Sequence, residues 1–433
     1  MSYILFINND SYIYEDSKEK VSIKIAKNNF AGLITITEPG RINYPEDILY
    51  SLKNPINSLP LNQLAQGAKR VVIIIPDVTR GVPLSGVFPY IIEELNKAGV
   101  ELDQITVVIA LGVHRNLTQE EIVDMIGKEF SKKINVINHD PFDKNKLVHL
   151  GETKYGTPIE INKVVFNSDF KITIGKVEPH EFAGFSGGRK VILPGICSER
   201  SIKFNHRPEM IMDKNSRPGS LEKNIVNLDM IEAAKLLKID FSINFVLNSK
   251  NEIISMFSGD IFATHQKSVD FLKSYCEVKI NEVPDIIITT PGYPLNIDFY
   301  QSIKPLIALE PICKKDNVII LYSSCPEGIN SPDMLLAFKN SSNVEEVTNY
   351  LKKNYEIQMD HALLLSRILS KGIRLIAYSP NIQPNLLETM HFKPANNVQE
   401  ALNIAYSMFN KNKSDIKVLF FPQAQRTLPV LGK

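Results

Sequence analysis

The sequence has no tryptophan, few cysteines and almost no excess of charge of either sign. The four cysteines, Cys197, Cys276, Cys313 and Cys325, form no CxxC pair. This indicates neither a disulfide framework nor a thiolate metal site, and we expect buried, unreactive thiols. With 49 basic and 48 acidic residues the net charge is +1, so no nucleic-acid surface is predicted. No apolar run approaches the length of a membrane span, and we expect no membrane partner.

The N-terminus also lacks the features of a signal peptide. In MSYILFINND only five apolar residues stand in a row before the chain turns polar, and no basic residue precedes them. We therefore expect a cytoplasmic protein. The 433 residues, of which 44% are hydrophobic and 22% charged, are typical of a soluble globular protein with two to three domains.

The apolar pattern of the first half changes near residue 70. The first 45 residues alternate polar and apolar positions (VSIKIAK, GLITITE), which predicts short antiparallel strands. Beyond them, three segments predict strands: 71–75, 105–111 and 135–138. Residues 84–97 have helical character, and Thr118 with Glu121 forms a capping box that opens another helix. The alternation of strands and helices predicts a largely parallel α/β sheet.

A second series of strands and helices follows near residue 284. Its predicted strands are 285–290, 318–322, 373–378 and 418–421, with helical segments at 362–370 and 398–409. A predicted helix over 266–277 separates the two series. We therefore expect two α/β domains, residues 1–280 and 281–433, with largely parallel sheets and an interdomain cleft, which is a common place for a ligand site.

Polar clusters follow four of the predicted strands, where ligands of parallel sheets bind. They are PDVTRGVP with Asp77 and Arg80, GVHRNLT with His114, KVEPHEFAGFSGGRK with His180 after a strand over 170–175, and PGYPLNIDFYQSIK. Each cluster alone is weak, because a lone Asp–Arg pair is usually a loop salt bridge and a lone His is usually structural. Together they predict a functional site.

The stretch HEFAGFSGGRKVILPG, residues 180–195, resembles a phosphate loop without matching one. Gly187 and Gly188 lead into Arg189, Lys190 and Val191, so the hydroxyl that a P-loop requires is missing. The Rossmann glycine pattern is missing too. Glycines would still let the backbone approach a phosphate, and Lys190 could pair with it or bond covalently to a cofactor. The alternative is a mobile turn with a solvated Lys–Arg pair.

His206 lies in SIKFNHRPEM, sixteen residues after Lys190. A single imidazole can ligate a transition metal, but no HxH or HExxH pattern surrounds it. If His206 binds a metal, the other ligands come from elsewhere, for example from a cofactor. A structural histidine is the alternative.

The cluster DFYQSIK predicts a helix start, with Asp298 as N-cap and Gln301 at the partner position of a capping box. Tyr300 and Lys304 are four residues apart and can share one face. A lysine, an amide and a phenol near a helix N-terminus suit an anion such as a carboxylate. Ordinary capping with a surface lysine is the alternative.

Together, PDVTRGVP, GVHRNLT, HEFAGFSGGRK, the NHR around His206 and DFYQSIK resemble the nickel-dependent lactate racemase family. The motifs span residues 76–304 in the family's order. The resemblance implies a nickel-pincer nucleotide (nickel pyridinium-3,5-bisthiocarboxylic acid mononucleotide) made by separate cofactor-synthesis proteins. It implies that Lys190 joins this cofactor covalently, that His206 completes the nickel coordination, and that the turn at Gly187 and Gly188 lies against the nucleotide.

The resemblance also implies the residues that handle the substrate. His114 and His180 correspond to the two general acid–base residues, and imidazole suits this role near neutral pH. Substrate-binding residues correspond to Arg80, Gln301 and Lys304, with Tyr300 beside them. Asp77 is expected to orient Arg80 or a histidine.

The implied reaction is racemisation of a small 2-hydroxy acid. Direct removal of the C2 proton would place negative charge beside an existing carboxylate, whereas hydride transfer to a pyridinium carbon leaves a 2-keto acid. Phe182 and Phe185 would crowd a pocket and favour the short side chain of lactate. Malate, longer aliphatic hydroxy acids and sugar acids stay open, as do a nucleotide-dependent phosphotransfer or hydrolytic enzyme and a non-catalytic carrier.

Overall fold

The protein is described from a computed structural model that covers residues 3–8, 11–16 and 19–432. The chain divides into two compact units, Thr37–Tyr275 on one side and Met1–Ile36 with Cys276–Lys433 on the other. The division at Cys276 lies close to the boundary predicted at residue 280. Residues up to Ile36, which the prediction assigned to the N-terminal domain, belong instead to the second unit.

The strands alternate with helices along most of the chain. In chain order the strands in the described residues are β1 (Tyr3–Asn8), β2 (Ser11–Asp16), β3 (Glu19–Lys24), β4 (Phe30–Leu33), β5 (Val71–Pro76), β6 (Ile105–Ala110), β7 (Asn135–Asn138), β8 (Leu147–Glu152), β9 (Pro158–Asn162), β10 (Phe170–Lys176), β11 (Pro179–His180), β12 (Gly184–Phe185), β13 (Phe241–Leu247), β14 (Ile253–Gly259), β15 (Glu277–Ile280), β16 (Ile286–Thr289), β17 (Val318–Tyr322), β18 (Arg374–Tyr378), β19 (Phe392–Pro394), β20 (Val418–Phe420) and β21 (Leu428–Leu431).

The helices range from single turns to four turns. In chain order the α-helices in the same residues are α1 (Glu46–Lys53), α2 (Leu61–Leu64), α3 (Phe88–Lys97), α4 (Gln119–Ile126), α5 (Phe130–Lys133), α6 (Lys163–Asn167), α7 (Glu199–Asn205), α8 (Pro208–Ile211), α9 (Ile225–Leu237), α10 (Ile261–Cys276), α11 (Phe299–Ser302), α12 (Lys304–Leu309), α13 (Pro332–Lys339), α14 (Val344–Asn354), α15 (Asp360–Ser370), α16 (Pro384–Thr389) and α17 (Val398–Ser407).

The unit Thr37–Tyr275 is built on a six-stranded sheet in the order β14-β13-β10-β5-β6-β7. All neighbours in it are parallel except β14, which runs antiparallel to β13. Every residue of β5 is buried, which fits its unbroken β-branched sequence. The predicted strands at 71–75, 105–111, 135–138 and 170–175 are confirmed, but β13 and β14 were not predicted.

The capping box predicted at the start of α4 is also confirmed. Thr118 Oγ1 accepts a hydrogen bond from the Glu121 N–H at 3.3 Å, and a Glu121 carboxylate oxygen accepts one from the Thr118 N–H at 2.9 Å. These two bonds satisfy backbone donors that the first helical turn leaves open. They fix the path of the chain between β6 and α4.

The second unit has its own six-stranded sheet in the order β19-β18-β17-β16-β20-β4. All of its strand pairs are parallel, including β4 with β20. This pairing explains why the N-terminal residues belong to the second unit. Antiparallel pairing is confirmed for β1–β3 but is wrong for β4. An alternating sequence indicates only that one face of a strand is exposed, and a strand at the edge of a parallel sheet also has one exposed face.

Among the described residues, no helix is both long enough and apolar enough to cross a membrane.

Candidate active site

Three of the predicted polar clusters leave the same edge of the sheet in the unit Thr37–Tyr275. The strands β10, β5 and β6 are adjacent and parallel, with Pro76 opposite Ala110 in the ladder. Their carboxyl ends therefore open on one side. Asp77 follows β5, His114 follows β6, and His180 follows β10.

Asp77 and His114 form a hydrogen-bonded pair across this edge. Asp77 Oδ2 lies 2.8 Å from His114 Nδ1. Asp77 Oδ1 accepts hydrogen bonds from the Thr79 N–H at 2.7 Å and from the Thr79 hydroxyl. Asp77 is 4% exposed, whereas the His114 side chain is 41% exposed. Because a carboxylate only accepts, the hydrogen of a neutral His114 lies on Nδ1, and Nε2 is left with the free lone pair.

The charge of Asp77 is strongly favoured in this setting. Burial by itself would raise the pKa of the carboxyl, but the His114 hydrogen bond, the positive charge of Arg80 and the Thr79 hydroxyl lower the pKa to about 2. The Arg80 side chain makes no hydrogen bond or ion pair with any residue that the structure describes, so it acts on Asp77 only through its charge. Of the two partners expected for Asp77, the histidine is the one it contacts.

This pair should make stability depend on pH in the acid range. The folded pKa of about 2 lies below the reference value of 3.8, so the pair stabilises the fold above pH 3.8 and loses this contribution as the pH falls towards 2. The contribution is on the order of 1–2 kcal/mol once solvent around His114 is allowed for. We expect the difference in unfolding free energy between wild type and Asp77→Asn, measured with urea, to shrink from pH 6 to pH 3. A constant difference over this range would contradict the assignment.

His180 is held in a tight hairpin. The strands β11 and β12 pair antiparallel, with His180 opposite Gly184. Gly184 has a φ of +79°, and a Cβ there would lie 2.0 Å from the Ser220 carbonyl oxygen, so only glycine fits. The hairpin places the His180 and Phe182 rings edge to face, with centroids 4.8 Å apart.

Lys190 meets His180 beside this hairpin. It lies on the 3₁₀ turn Gly188–Val191, and its Nζ is 2.6 Å from His180 Nε2 and 5.6 Å from the centroid of the Phe182 ring. The His180 imidazole and the Lys190 amine, which the sequence places on either side of the glycines, are therefore in direct contact.

The adjacent Arg189 is not solvated, so the alternative interpretation of a solvated Lys–Arg pair is wrong. Arg189 is 2% exposed. Its Nε donates to Asn227 Oδ1 at 2.7 Å and its Nη2 to the Ala183 carbonyl at 2.9 Å. Arg189 therefore fastens the turn to α9 and to the hairpin, and leaves Lys190 as the cation of the pair that points towards His180.

The two glycines of the turn pack closely against the protein. A Cβ on Gly187 would lie 2.6 Å from Val177 Cγ2, and a Cβ on Gly188 would lie 3.1 Å from the His265 side chain. The Gly188 N–H donates to Asn244 Oδ1 at 2.9 Å. The Gly188 N–H is therefore engaged within the protein and does not face a phosphate.

His206 lies beside His180 and Lys190, around the same Phe182 ring. It caps the C-terminus of α7 and is 8% exposed, and its ring lies edge to face with Phe182 at 5.0 Å between centroids. Burial and the positive charge of Lys190 lower its pKa to about 3. Its buried Nδ1 has no hydrogen-bond partner among the described residues. His206 is thus a neutral imidazole, the form that a metal ligand requires, and its Nδ1 is not engaged by another described residue.

The protein alone does not supply a metal site around His206. No group of three or more His, Cys, Asp or Glu side chains suited to a metal ion occurs among the described residues. The four cysteines are buried and free, as predicted. A metal at His206 therefore needs ligands that a cofactor brings, and the nearby Lys190 amine suits the attachment of such a cofactor. The donor set fits a metal-bearing cofactor.

The remaining predicted residues lie in the second unit. The Asp298 carboxylate accepts from the Gln301 N–H at 2.7 Å, so the predicted N-cap is confirmed. The helix is interrupted, because Tyr300 and Gln301 lie on α11 and Lys304 begins α12. Pro305, which lacks an N–H, follows this break.

Tyr300 is fixed by two residues at the start of α15. Its hydroxyl donates to Asp360 Oδ1 at 3.0 Å. Its carbonyl oxygen lies 2.9 Å from His361 Nδ1, and the two rings are 3.9 Å apart. The orientation of the phenol is therefore set by residues sixty positions away along the chain.

The sequence assigned no role to Glu181, which contacts His180, and it placed Phe182 and Phe185 together although the structure separates their surroundings. Glu181 Oε2 lies 3.4 Å from His180 Nδ1, and its position next to His180 in the sequence was the only signal for it. Of the two rings expected to crowd a pocket, Phe182 touches His180 and His206. Phe185 is fully buried and lies 5.6 Å from Lys273 Nζ.

Fold and site together define an α/β protein in which His180 contacts Lys190 and the neutral imidazole of His206 lies beside the same Phe182 ring. Family models agree with this class. The lactate racemase N-terminal domain matches residues 16–219, and the lactate racemase C-terminal domain matches residues 279–424. The chain therefore belongs to the lactate racemase family, and it is an isomerase.

Individual relatives extend the match over most of the chain. A lactate racemase from Thermoanaerobacterium thermosaccharolyticum is 35% identical over 380 residues, which are 86% of this chain and 88% of the relative. One from Lactiplantibacillus plantarum is 32% identical over 400 residues, 90% and 93% of the two chains. The structure of the lactate racemase apoprotein from the first organism superposes with a TM-score of 0.88 at 31% identity, covering 97% of this chain and 99% of that one.

Proposed function

We propose that the protein interconverts D- and L-lactate, using a nickel-pincer nucleotide attached to Lys190. The observation that carries the proposal is the arrangement of His180, Lys190 and His206 around the Phe182 ring. It brings together an amine that suits attachment, an imidazole that suits proton transfer and a second imidazole that suits a metal. Membership of the lactate racemase family supports the same reaction.

In this proposal Lys190 and His206 hold the cofactor. Lys190 provides the covalent bond and His206 a nickel ligand. Gly187 and Gly188 contribute by letting the turn pass close to Val177 and His265. Reversible uptake of a hydride from C2 of the substrate, which leaves a 2-keto acid, is the chemistry that the nucleotide supplies when bound.

His114 and His180 move the hydroxyl proton of the substrate. A base must take this proton as the C2 hydrogen leaves, and a second base serves the opposite enantiomer. Asp77 holds the hydrogen of His114 on Nδ1, so that Nε2 exchanges the proton, and it stabilises the imidazolium that forms. In His180 it is also Nε2 that faces the proposed cofactor attachment, since this nitrogen contacts Lys190.

We further propose that Arg80, Gln301 and Lys304 bind the substrate, with Tyr300 beside them. Arg80 suits the carboxylate because its planar guanidinium offers two parallel donors, and the described residues do not engage these donors. Asp360 keeps the Tyr300 hydroxyl in one orientation. The Phe182 ring limits the space beside His180 and favours the short side chain of lactate over that of malate, longer aliphatic hydroxy acids or sugar acids.

Arg80→Lys should weaken substrate binding more than turnover. Lysine keeps the charge but loses the fork that pairs with both carboxylate oxygens. We expect the KM for lactate to rise about 10-fold with a smaller change in kcat. Arg115→Lys is the matched control, because Arg115 pairs with Glu121 at 2.6 Å. Equal effects of the two substitutions on KM would contradict the role of Arg80.

The proposal is tested by a chiral assay on protein produced together with cofactor-synthesis proteins. Each lactate enantiomer, supplied alone, should be converted to an equal mixture of both. His114→Gln should abolish this, which separates catalysis from a carrier role. If the enzyme does not convert lactate but racemises malate or another 2-hydroxy acid, the substrate is that acid and the reaction class stands. Inactivity towards every 2-hydroxy acid would refute the proposal.

The same proposal includes loading by cofactor-synthesis proteins and a cytoplasmic location. Co-production with and without those proteins tests the first, and fractionation of the native cell tests the second. A nucleotide-dependent phosphotransfer enzyme is not favoured. Gly188, which would have to hold a phosphate through its N–H, donates to Asn244 instead.

A further inference from the structure

We infer that Glu181, His180 and Lys190 form a triad that activates Lys190 for its covalent attachment to the cofactor. His180 then has a task before the first turnover, and Glu181 becomes a positioning residue. The inference rests on the proposed function, because it takes the cofactor as the group that Lys190 attacks.

The three side chains are connected in line. Lys190 Nζ lies 2.6 Å from His180 Nε2, and Glu181 Oε2 lies 3.4 Å from His180 Nδ1 on the other side of the ring. A nucleophile in contact with a base, and a base oriented by a third group, is the arrangement that activates hydroxyl and thiol nucleophiles in other enzymes. Here the nucleophile is an amine.

The surroundings strengthen the arrangement. The side chains of His180 and Glu181 are 13% and 15% exposed, so their charges are little screened by water. The Phe182 ring covers the same group, with Lys190 Nζ 5.6 Å from its centroid. The Lys190 amine therefore meets His180 where little water competes for the contact.

The protonation of His180 is set by Glu181. The Ala183 and Phe182 N–H groups donate long hydrogen bonds to Nδ1, at 3.3 and 3.5 Å. At a similar distance, the full charge of the Glu181 carboxylate outweighs these neutral donors and favours a hydrogen on Nδ1. Nε2 is then free to accept the proton of the Lys190 ammonium, and Glu181 stabilises the imidazolium that results.

The attachment step is a condensation without change of oxidation state. The Lys190 nitrogen forms a bond to the carbonyl carbon of one thiocarboxylate arm, and the carbon–oxygen bond of that arm breaks. Of the three ammonium protons, one stays on the new nitrogen–carbon linkage and two leave with the oxygen as water. His180 carries the first of these two protons from Lys190 to the departing oxygen, so it ends the step neutral and ready for catalysis.

The experiment follows attachment rather than turnover. Purified unloaded protein is mixed with separately prepared cofactor, and intact mass is recorded over time; the wild type should gain the cofactor mass less one water. We expect His180→Gln to load about 100-fold more slowly, because glutamine can accept a hydrogen bond but cannot carry the proton. Glu181→Gln should load roughly 10-fold more slowly, and Glu181→Asp should recover part of the loss.

His114→Gln is the matched control. It removes the other proposed acid–base histidine, which contacts Asp77 and not Lys190, so it should load at the wild-type rate while losing racemisation. All variants are checked for an unchanged thermal midpoint. Wild-type loading rates in His180→Gln would overturn the triad.

A second readout separates the triad from the identity of the cofactor. Unloaded protein is treated with a small amount of acetyl N-hydroxysuccinimide ester, and acetylation is mapped lysine by lysine. Lys190 should react faster than Lys203, and this advantage should fall about 10-fold in His180→Gln. If the advantage does not depend on His180, the triad is wrong. If it does, but wild-type protein takes up no cofactor, the proposed function fails while the activation of Lys190 stands.

Discussion

Lys190→Ala should abolish the covalent adduct and with it nearly all racemisation. The intact mass of this variant, produced with cofactor-synthesis proteins, should equal that of the bare chain. The tether makes cofactor binding intramolecular, and its loss should lower retained nickel and lactate turnover by about 100-fold or more. The measurement is intact mass, nickel content after gel filtration, and the chiral assay on one sample.

Lys203→Ala provides the control for this substitution. Lys203 lies on α7, the helix that ends at His206, and pairs with Glu199 at 3.5 Å on the surface. A surface pair of this kind contributes little to stability, so mass, nickel and activity should be unchanged. An adduct that persists in Lys190→Ala would show that another side chain carries the cofactor.

His206→Leu should remove nickel and leave the covalent adduct in place. Lys190 still provides the bond, but the protein's nickel ligand is gone, so nickel retained per chain should fall by about 100-fold or more. The unloaded variant should be no less stable than wild type, and more stable by about 1 kcal/mol. The reason is that His206 Nδ1 is buried without a partner among the described residues, and leaving such an atom unsatisfied costs about 1–3 kcal/mol.

His139→Leu makes the same exchange at another buried histidine. His139 is 1% exposed, and its two ring nitrogens lie 2.9 Å from the Cys197 carbonyl and 3.3 Å from Asn162 Nδ2. This variant should keep nickel and lose about 1–3 kcal/mol of unfolding free energy, since both partners are left unpaired. Urea unfolding and nickel analysis of the two variants should therefore give opposite patterns. Nickel retention in His206→Leu would refute the ligand assignment.

Local patterns were enough to predict the elements that carry the site. The continuous β-branched run of β5 and the capping box at Thr118 depend on neighbouring residues alone. One rule, that ligands of parallel sheets bind beyond the carboxyl ends of the strands, placed Asp77 and His114 in one predicted site. The choice of the histidine over Arg80 as the side chain that Asp77 contacts came only with the structure. The four cysteines were correctly expected to be buried, because a free cysteine packs as a small hydrophobic side chain.

Contacts between distant segments were the part that the sequence did not reveal. β4 pairs with β20 almost four hundred residues later, and nothing in the alternation of β4 distinguishes this partner from an antiparallel neighbour. Arg189 and Lys190 are adjacent cations in the sequence. Partners that the fold brings in, among them Asn227 on α9, the Ala183 carbonyl and His265, determine that Arg189 is the buried one.

The central claim is that Lys190 carries a nickel-bearing nucleotide, and peptide mapping of the wild-type protein tests it most directly. Protein produced with cofactor-synthesis proteins is digested, and the peptide that gains mass is sequenced by fragmentation alongside a nickel analysis of the intact sample. The account predicts a nucleotide-sized adduct on Lys190 and about one nickel per chain, held by the single ligand His206 and the cofactor's own donors. An unmodified Lys190, while the same synthesis proteins load a relative prepared in parallel, would contradict it.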